Sequence, residues 1–147
     1  DVAERLTRQA ARAFPLGPSE RRPLEDLARD ADARARSFGD VEWMAAIARR
    51  TDALRRTAIL TLAEDALQRG DAAYALRCAG RLIEREACDE RARSIAIRAH
   101  LQCGSDAEAI REYRDYRRAL REEIGVDAVP GDETDEALQA FVNAMRR

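Results

Sequence analysis

The sequence predicts an all-α fold: a tetratricopeptide-like right-handed stack of antiparallel helix pairs closed by a C-terminal capping helix. Three observations predict it. The composition is rich in strong helix formers, with 37% charged residues and only 5% aromatics, which is poor material for strands. Apolar residues recur at helical spacing through most of the chain, and several of the breaks between periodic stretches carry glycine or proline. A short segment also repeats itself at an offset of 34 residues. At 147 residues the chain is read as one domain, 1–147, large enough to bury a core without disulfides or metals.

The first amphipathic stretch runs from about Val2 to Phe14, with Leu6, Ala10, Ala13 and Phe14 along one face. Pro15-Leu16-Gly17-Pro18 ends it, because proline and glycine do not continue a helix. Ser19 is the expected cap of a second helix, supported by Pro23 near its first turn and by Leu24, Leu27, Ala31 and Ala35. That helix is expected to stop near Phe38-Gly39, so that 1–38 forms an N-terminal pair ahead of a repeat region, 41–125.

From Val41 to Arg69 no glycine or proline intervenes, and Trp43, Ile47, Leu54, Ala58, Leu62 and Ala66 keep close to a 3.6-residue period. One long helix, or two with a kink, is expected. Gly70-Asp71 then supplies a C-cap followed by an N-cap, as at a tight turn between antiparallel helices. The next helix is expected to reach about Ala87, Asp89 to cap another reaching Cys103, and Gly104 with Asp106 to repeat the turn. After Gly125 a loop, 126–131, leads into a last helix near 132–147 whose Leu138, Phe141, Val142 and Met145 share a face. Two repeats leave their own ends bare, so this helix is read as a cap.

The repeat aligns Gly70-Asp71-Ala72-Ala73-Tyr74-Ala75-Leu76-Arg77 with Gly104-Ser105-Asp106-Ala107-Glu108-Ala109-Ile110-Arg111. An offset of 34 is the tetratricopeptide period, in which glycine turns the chain after helix A and a small residue lets helix B approach closely. Gly70, Gly104, Ala75 and Ala109 fill those roles. Ala87 and Arg121 stand where a repeat commonly closes on proline.

All 26 basic residues are arginine, a usage read first as codon bias and second as selection for guanidinium chemistry. Against 28 acidic residues they leave a net charge of −2, without the basic excess of a free-standing nucleic-acid binder. No long apolar run and no leader-like start is present, so a cytoplasmic protein with no membrane partner is expected. The chain opens at Asp1 rather than Met, which leaves open a piece of a longer protein or a trimmed one.

Cys78, Cys88 and Cys103 are odd in number and scattered, which reads as reduced thiols; with His100 they form C-x9-C-x11-H-x2-C, without the close pair most structural zinc sites use. His100 is the only imidazole and sits mid-helix beside Ala99 and Leu101, so no nucleophile and base are paired. No glycine-rich loop matches a nucleotide-binding pattern, and without lysine a phosphate loop of the lysine-bearing kind is impossible. No catalytic residue, metal ligand or cofactor is expected, and the chain is read as a non-enzyme. The acidic cluster Asp132, Glu133, Asp135 and Glu136 suits the positive end of the last helix.

One charged constellation stands out. Arg111, Arg114, Arg118 and Arg121 are spaced three, four and three, which places them on one stripe, with Asp115 and Glu122 on a neighbouring one. Two readings stay open: a solvated face laced by pairs such as Arg111 to Asp115 and Arg118 to Glu122, or a surface for an acidic partner.

The stretch EAIREYRDYRRALREEIGVDAVPGDETDEAL, with Tyr113, Leu120 and Gly125 inside it, resembles the signature of the bacterial transcriptional activator domain, the tetratricopeptide-like module that follows a winged-helix domain in antibiotic-pathway regulators. Trp43, followed by Leu54, Arg55 and Leu62-Ala63-Glu64, is similar to that family's first long helix, and the likeness runs from Gly39 to the end. Asp1-Val2 is similar to the dipeptide that often opens the domain, whereas LARDADARARSFGD departs from the family's leucine- and proline-bearing loop. The resemblance implies a non-catalytic effector and oligomerisation role through protein contacts: dimerisation, or contact with RNA polymerase or a neighbouring regulatory domain. DNA would be reached only through a DNA-binding domain absent from this chain. A free-standing adaptor that holds a peptide or helix, and a regulatory domain of a larger signalling enzyme, stay open beside it; the sequence upstream of Asp1 discriminates them.

Tetratricopeptide stacks bind partners on a concave face lined by their A helices. The 34-residue register lays Thr57, Thr61, Glu64 and Gln68 beside Arg91, Ser94, Arg98 and Gln102, with Arg98 near the centre. The competing reading is that the last helix, through Leu138, Phe141 and Met145, fills part of that groove itself.

Overall fold

The computed structural model describes residues 15–34, 42–125 and 136–145, with side chains in these segments except at 30–34, 42–44, 136–139 and 142. Among them are six α-helices and no strand: α1 Pro18–Arg34, α2 Glu42–Gln68, α3 Ala72–Arg85, α4 Glu90–Gln102, α5 Asp106–Ile124 and α6 Glu136–Met145. The all-α, tetratricopeptide-like expectation holds. The helix expected over 2–14, the Trp43 side chain, the loop 126–131 and the acidic cluster at 132–136 lie outside what is described. The chain forms two compact units, Asp1–Arg69 and Gly70–Arg147.

In the first unit α1 packs against α2. Helix α1 starts two residues earlier than the sequence suggests. Gly17, not Ser19, is its cap: the Gly17 carbonyl accepts from the Glu20 and Arg21 amides, and the Glu20 carboxylate accepts from the Gly17 N–H at 2.9 Å. This is the returning half of a capping box, with Pro18 at the first helical position, where its missing N–H costs nothing. Of the apolar positions read from the sequence, Leu24 is buried and Leu27 half-buried, while the Ala31 and Ala35 side chains lie outside what is described; Leu16 and Ala28 are buried as well.

Helix α2 is a single helix rather than two. Its C-terminal half is buried nearly all round, with Ala58, Ile59, Ala63 and Ala66 fully covered, while Ile47 is 52% exposed and does not join the core expected of it. The reason is length. At 1.5 Å per residue α1 spans about 25 Å and α2 about 40 Å, and α1 begins beside Asp65 near the far end of α2, so it runs out before the first turns of α2.

Asp65, which the sequence reading did not single out, holds this unit together. Its carboxylate has no exposure, yet it accepts from the Leu16 N–H across 49 residues of chain and from Arg69 Nε at 2.9 Å. Arg21 Nε stands 3.8 Å away and donates to the Leu16 carbonyl at 3.2 Å. A buried carboxylate is tolerable only when paired and hydrogen-bonded in this way.

In the second unit α4 packs against α3, α5 and α6. Its residues 92–97 and Ala99 are accordingly buried. The turns predicted from the repeat are present: Gly70 and Gly104 have φ of +77° and +71°, a conformation costly to any residue with a Cβ. After α4 the turn is a full Schellman motif, with the Ser105 N–H donating to the His100 carbonyl and the Gly104 N–H to that of Leu101. Asp71 caps α3 by accepting from the Tyr74 N–H at 3.0 Å, and Asp89 caps α4 by accepting from the Ala92 N–H at 3.1 Å. The second copy of the turn differs: Ser105 stands at the cap of α5 without a side-chain hydrogen bond, and Asp106 opens the helix itself.

Ala109, Ile97, Tyr113, Tyr116 and Leu120 form one buried cluster, with Cys88 and Phe141 packed against it. Phe141 of α6 meets Tyr113 edge-on, centroids 6.0 Å apart. The last helix thus covers the α4 and α5 pair through Phe141, while Met145 remains 39% exposed. Arg93 is buried among these elements; its guanidinium donates to the Glu112 carboxylate and, at 2.9 Å, to the Ala87 carbonyl, joining α4 to α5.

Candidate protein-interaction surface

The register-derived groove set divides between the units. Thr57, Thr61, Glu64 and Gln68 belong to the first unit, and Arg91, Ser94, Arg98 and Gln102 to the second. In the first unit Gln68 and Thr57 are exposed and Glu64 half-buried, but Thr61 is buried and spends its hydroxyl on the Thr57 carbonyl at 2.8 Å. In the second, Arg91 and Gln102 are exposed, Arg98 is half-buried and Ser94 has no exposure. Thr61 and Ser94 therefore present no surface to a partner. Ser94 lies in the buried run of α4, a helix covered by three others, and its hydroxyl has no hydrogen-bond partner among the described residues.

The arginine stripe is placed as its spacing requires. Helix α5 buries Ala109, Tyr113, Tyr116, Ala119 and Leu120, and turns Arg111, Arg114, Arg118 and Arg121 outward, all four exposed. The expected partners of two of them are corrected. Arg111 pairs with Glu108 at 3.0 Å and Arg118 with Asp115 at 2.7 Å, each one turn toward the N-terminus rather than with Asp115 and Glu122. Helical side chains lean back toward the N-terminal end, which brings an acid three residues earlier under the guanidinium. Arg114 has no ion-pair partner among the described residues. The helix ends at Gly125, whose N–H donates to the Arg121 carbonyl.

The thiols divide by environment. Cys78 is buried, Cys88 half-buried and Cys103 exposed, and none of the three is in a disulfide. Burial, then the hydrogen-bonded Glu123 carboxylate, pushes the Cys88 thiol above the ordinary range, which makes it a poor nucleophile. Burial, with Glu90 second, pushes the Tyr116 hydroxyl up to about 12. Sequence reading missed the Cys88–Glu123 contact, since only the fold brings the end of α5 to the turn before α4. His100 is half-buried on α4. Among the described residues no group of three His, Cys, Asp or Glu side chains is placed to hold a metal ion, and no helix is long and apolar enough to cross a membrane.

Comparison with known proteins gives one match. The family model for the bacterial transcriptional activator domain matches residues 2–142. Neither a curated protein nor a solved structure matches the chain. The family match spans nearly the whole sequence, including the stretch from Gly39 onward that carries the signature around Tyr113, Leu120 and Gly125, and takes in the N-terminal region as well. The chain belongs to the bacterial transcriptional activator domain family.

Proposed function

We propose that this chain is the non-catalytic effector domain of a bacterial transcriptional regulator, acting in the cytoplasm through protein–protein contacts. Family membership over residues 2–142 is the observation that carries the reading. The contacts are with a second copy of the domain, with the transcription machinery or with a neighbouring domain of the same chain; DNA is reached through a separate DNA-binding domain. Supporting it, the chemistry-bearing side chains have structural occupations. Asp65, Arg93 and Glu112 hold helices together, Cys88 faces a carboxylate, and the only imidazole lies half-buried along α4. The exposed polar residues Arg91 and Gln102 on α4 and the arginines of α5 are the candidate contact surface.

Sedimentation of the purified chain over a range of concentrations, with two-hybrid scoring against itself and against the subunits of RNA polymerase, tests the proposal. Concentration-dependent association, or a reproducible contact with one subunit, is expected. A chain that stays monomeric and silent toward every partner, yet is folded by circular dichroism, overturns it.

A further inference from the structure

The outer face of α5 has a chemistry that selects among partners. Arg111, Arg114, Arg118 and Arg121 form a line of about 15 Å at 1.5 Å per residue, on a helix whose opposite side is fixed by Tyr113, Tyr116 and Leu120 and by the Arg93–Glu112 bridge. The line is therefore held in place before a partner arrives, and rigid presentation lowers the entropy cost of binding. The Arg111–Glu108 and Arg118–Asp115 pairs leave the arginine side chains 68% and 65% exposed. Exposed pairs of this kind are worth little and exchange readily for an incoming carboxylate.

Resting on the protein-contact role proposed above, we propose that this face binds an acidic helical segment of a partner protein, one that presents carboxylates at matching three- and four-residue spacing. Charge complementarity selects this occupant over two others. A second copy meeting the face in antiparallel register sets arginine against arginine, and like charges in contact cost affinity. A nucleic acid presents an unbroken row of phosphates, and these run against Glu108, Asp115, Glu122 and Glu123 along the same helix of a chain with a net charge of −2. A helical segment places carboxylates at intervals and avoids those positions. Guanidinium groups suit the task because their planar forks take a carboxylate by two parallel hydrogen bonds.

The test uses the full chain and a short fluorescent alanine-based peptide with glutamates spaced three and four apart. Anisotropy is expected to show binding at low salt that weakens as salt is raised, and none for the same peptide with glutamine. Arg114→Glu weakens binding about tenfold or more, Arg114→Gln weakens it less, and neither moves the melting temperature. Replacing the facing glutamate of the peptide by arginine restores affinity for Arg114→Glu. Equal binding by Arg114→Glu and the unaltered chain overturns the proposal, as does preferential displacement of the peptide by short duplex DNA. Scoring Arg114→Glu in the two-hybrid assay separates the two levels: a silent unaltered chain removes the protein-contact role, whereas an active one with peptide binding indifferent to Arg114 removes this face alone.

Discussion

Removing the Asp65 carboxylate, as Asp65→Ala, is expected to destabilise the chain by about 1.5–4 kcal/mol. The largest part comes from the Leu16 amide. Leu16 is 2% exposed, so water cannot replace the lost acceptor, and an orphaned buried N–H costs about 1–3 kcal/mol. The two arginines contribute less: the side chains of Arg21 and Arg69 are each 28% exposed and can turn to solvent, so their lost pairing with Asp65 adds about 0.5–1 kcal/mol in all. Asp65→Asn keeps an oxygen facing the Leu16 N–H and gives up only the charge, so it falls between the two. Urea denaturation followed by circular dichroism at 222 nm reads both variants against the unaltered chain. If Asp65→Ala changes stability by less than about 0.5 kcal/mol, the carboxylate is not what ties the segment before α1 to the end of α2.

Three further outcomes are expected. Ala109→Leu forces a larger side chain into the cluster with Ile97, Tyr113, Tyr116 and Leu120 and lowers stability by about 1–3 kcal/mol; an unchanged melt contradicts the close helix approach. Gly80→Ala is expected to stabilise by about 0.5–1 kcal/mol, because Gly80 lies inside α3 and a Cβ there meets nothing within 4 Å; a lower denaturation midpoint refutes it. Tyr116, raised to about 12 from an unfolded value near 10, contributes stability that is whole below about pH 10 and is lost as pH rises toward 12. Melting temperatures should fall across that window, more gently for Tyr116→Phe, and an identical fall in both assigns the effect to other groups.

What was legible in the sequence was local. The glycine turns at Gly70 and Gly104 and the caps at Asp71 and Asp89 each follow from residues within one or two turns of one another. The outward stripe on α5 was legible too, since helical spacing alone decides which residues share a face. What failed depends on groups far apart in the chain or on side-chain direction. The Leu16–Asp65 bond spans 49 residues, and nothing near Asp65 in the sequence distinguishes it from a surface acid on a helix. Ile47 keeps the apolar period but outruns the shorter helix that would cover it. Thr61 and Ser94 suit a polar groove by residue type, yet the helices carrying them are buried around those positions. Arg111 and Arg118 pair with the preceding acids because of how helical side chains lean, which spacing does not reveal.

Action on transcription through protein contacts, rather than through chemistry or DNA, is the proposed role of this domain. It is tested most directly by fusing the chain to a heterologous DNA-binding domain and measuring a reporter whose promoter carries the matching operator. Transcription above that of the DNA-binding domain alone is predicted, falling toward that baseline when Arg111, Arg114, Arg118 and Arg121 are together changed to glutamate in a fusion that remains folded. A folded fusion that binds the operator and leaves transcription at the level of the DNA-binding domain alone contradicts the account.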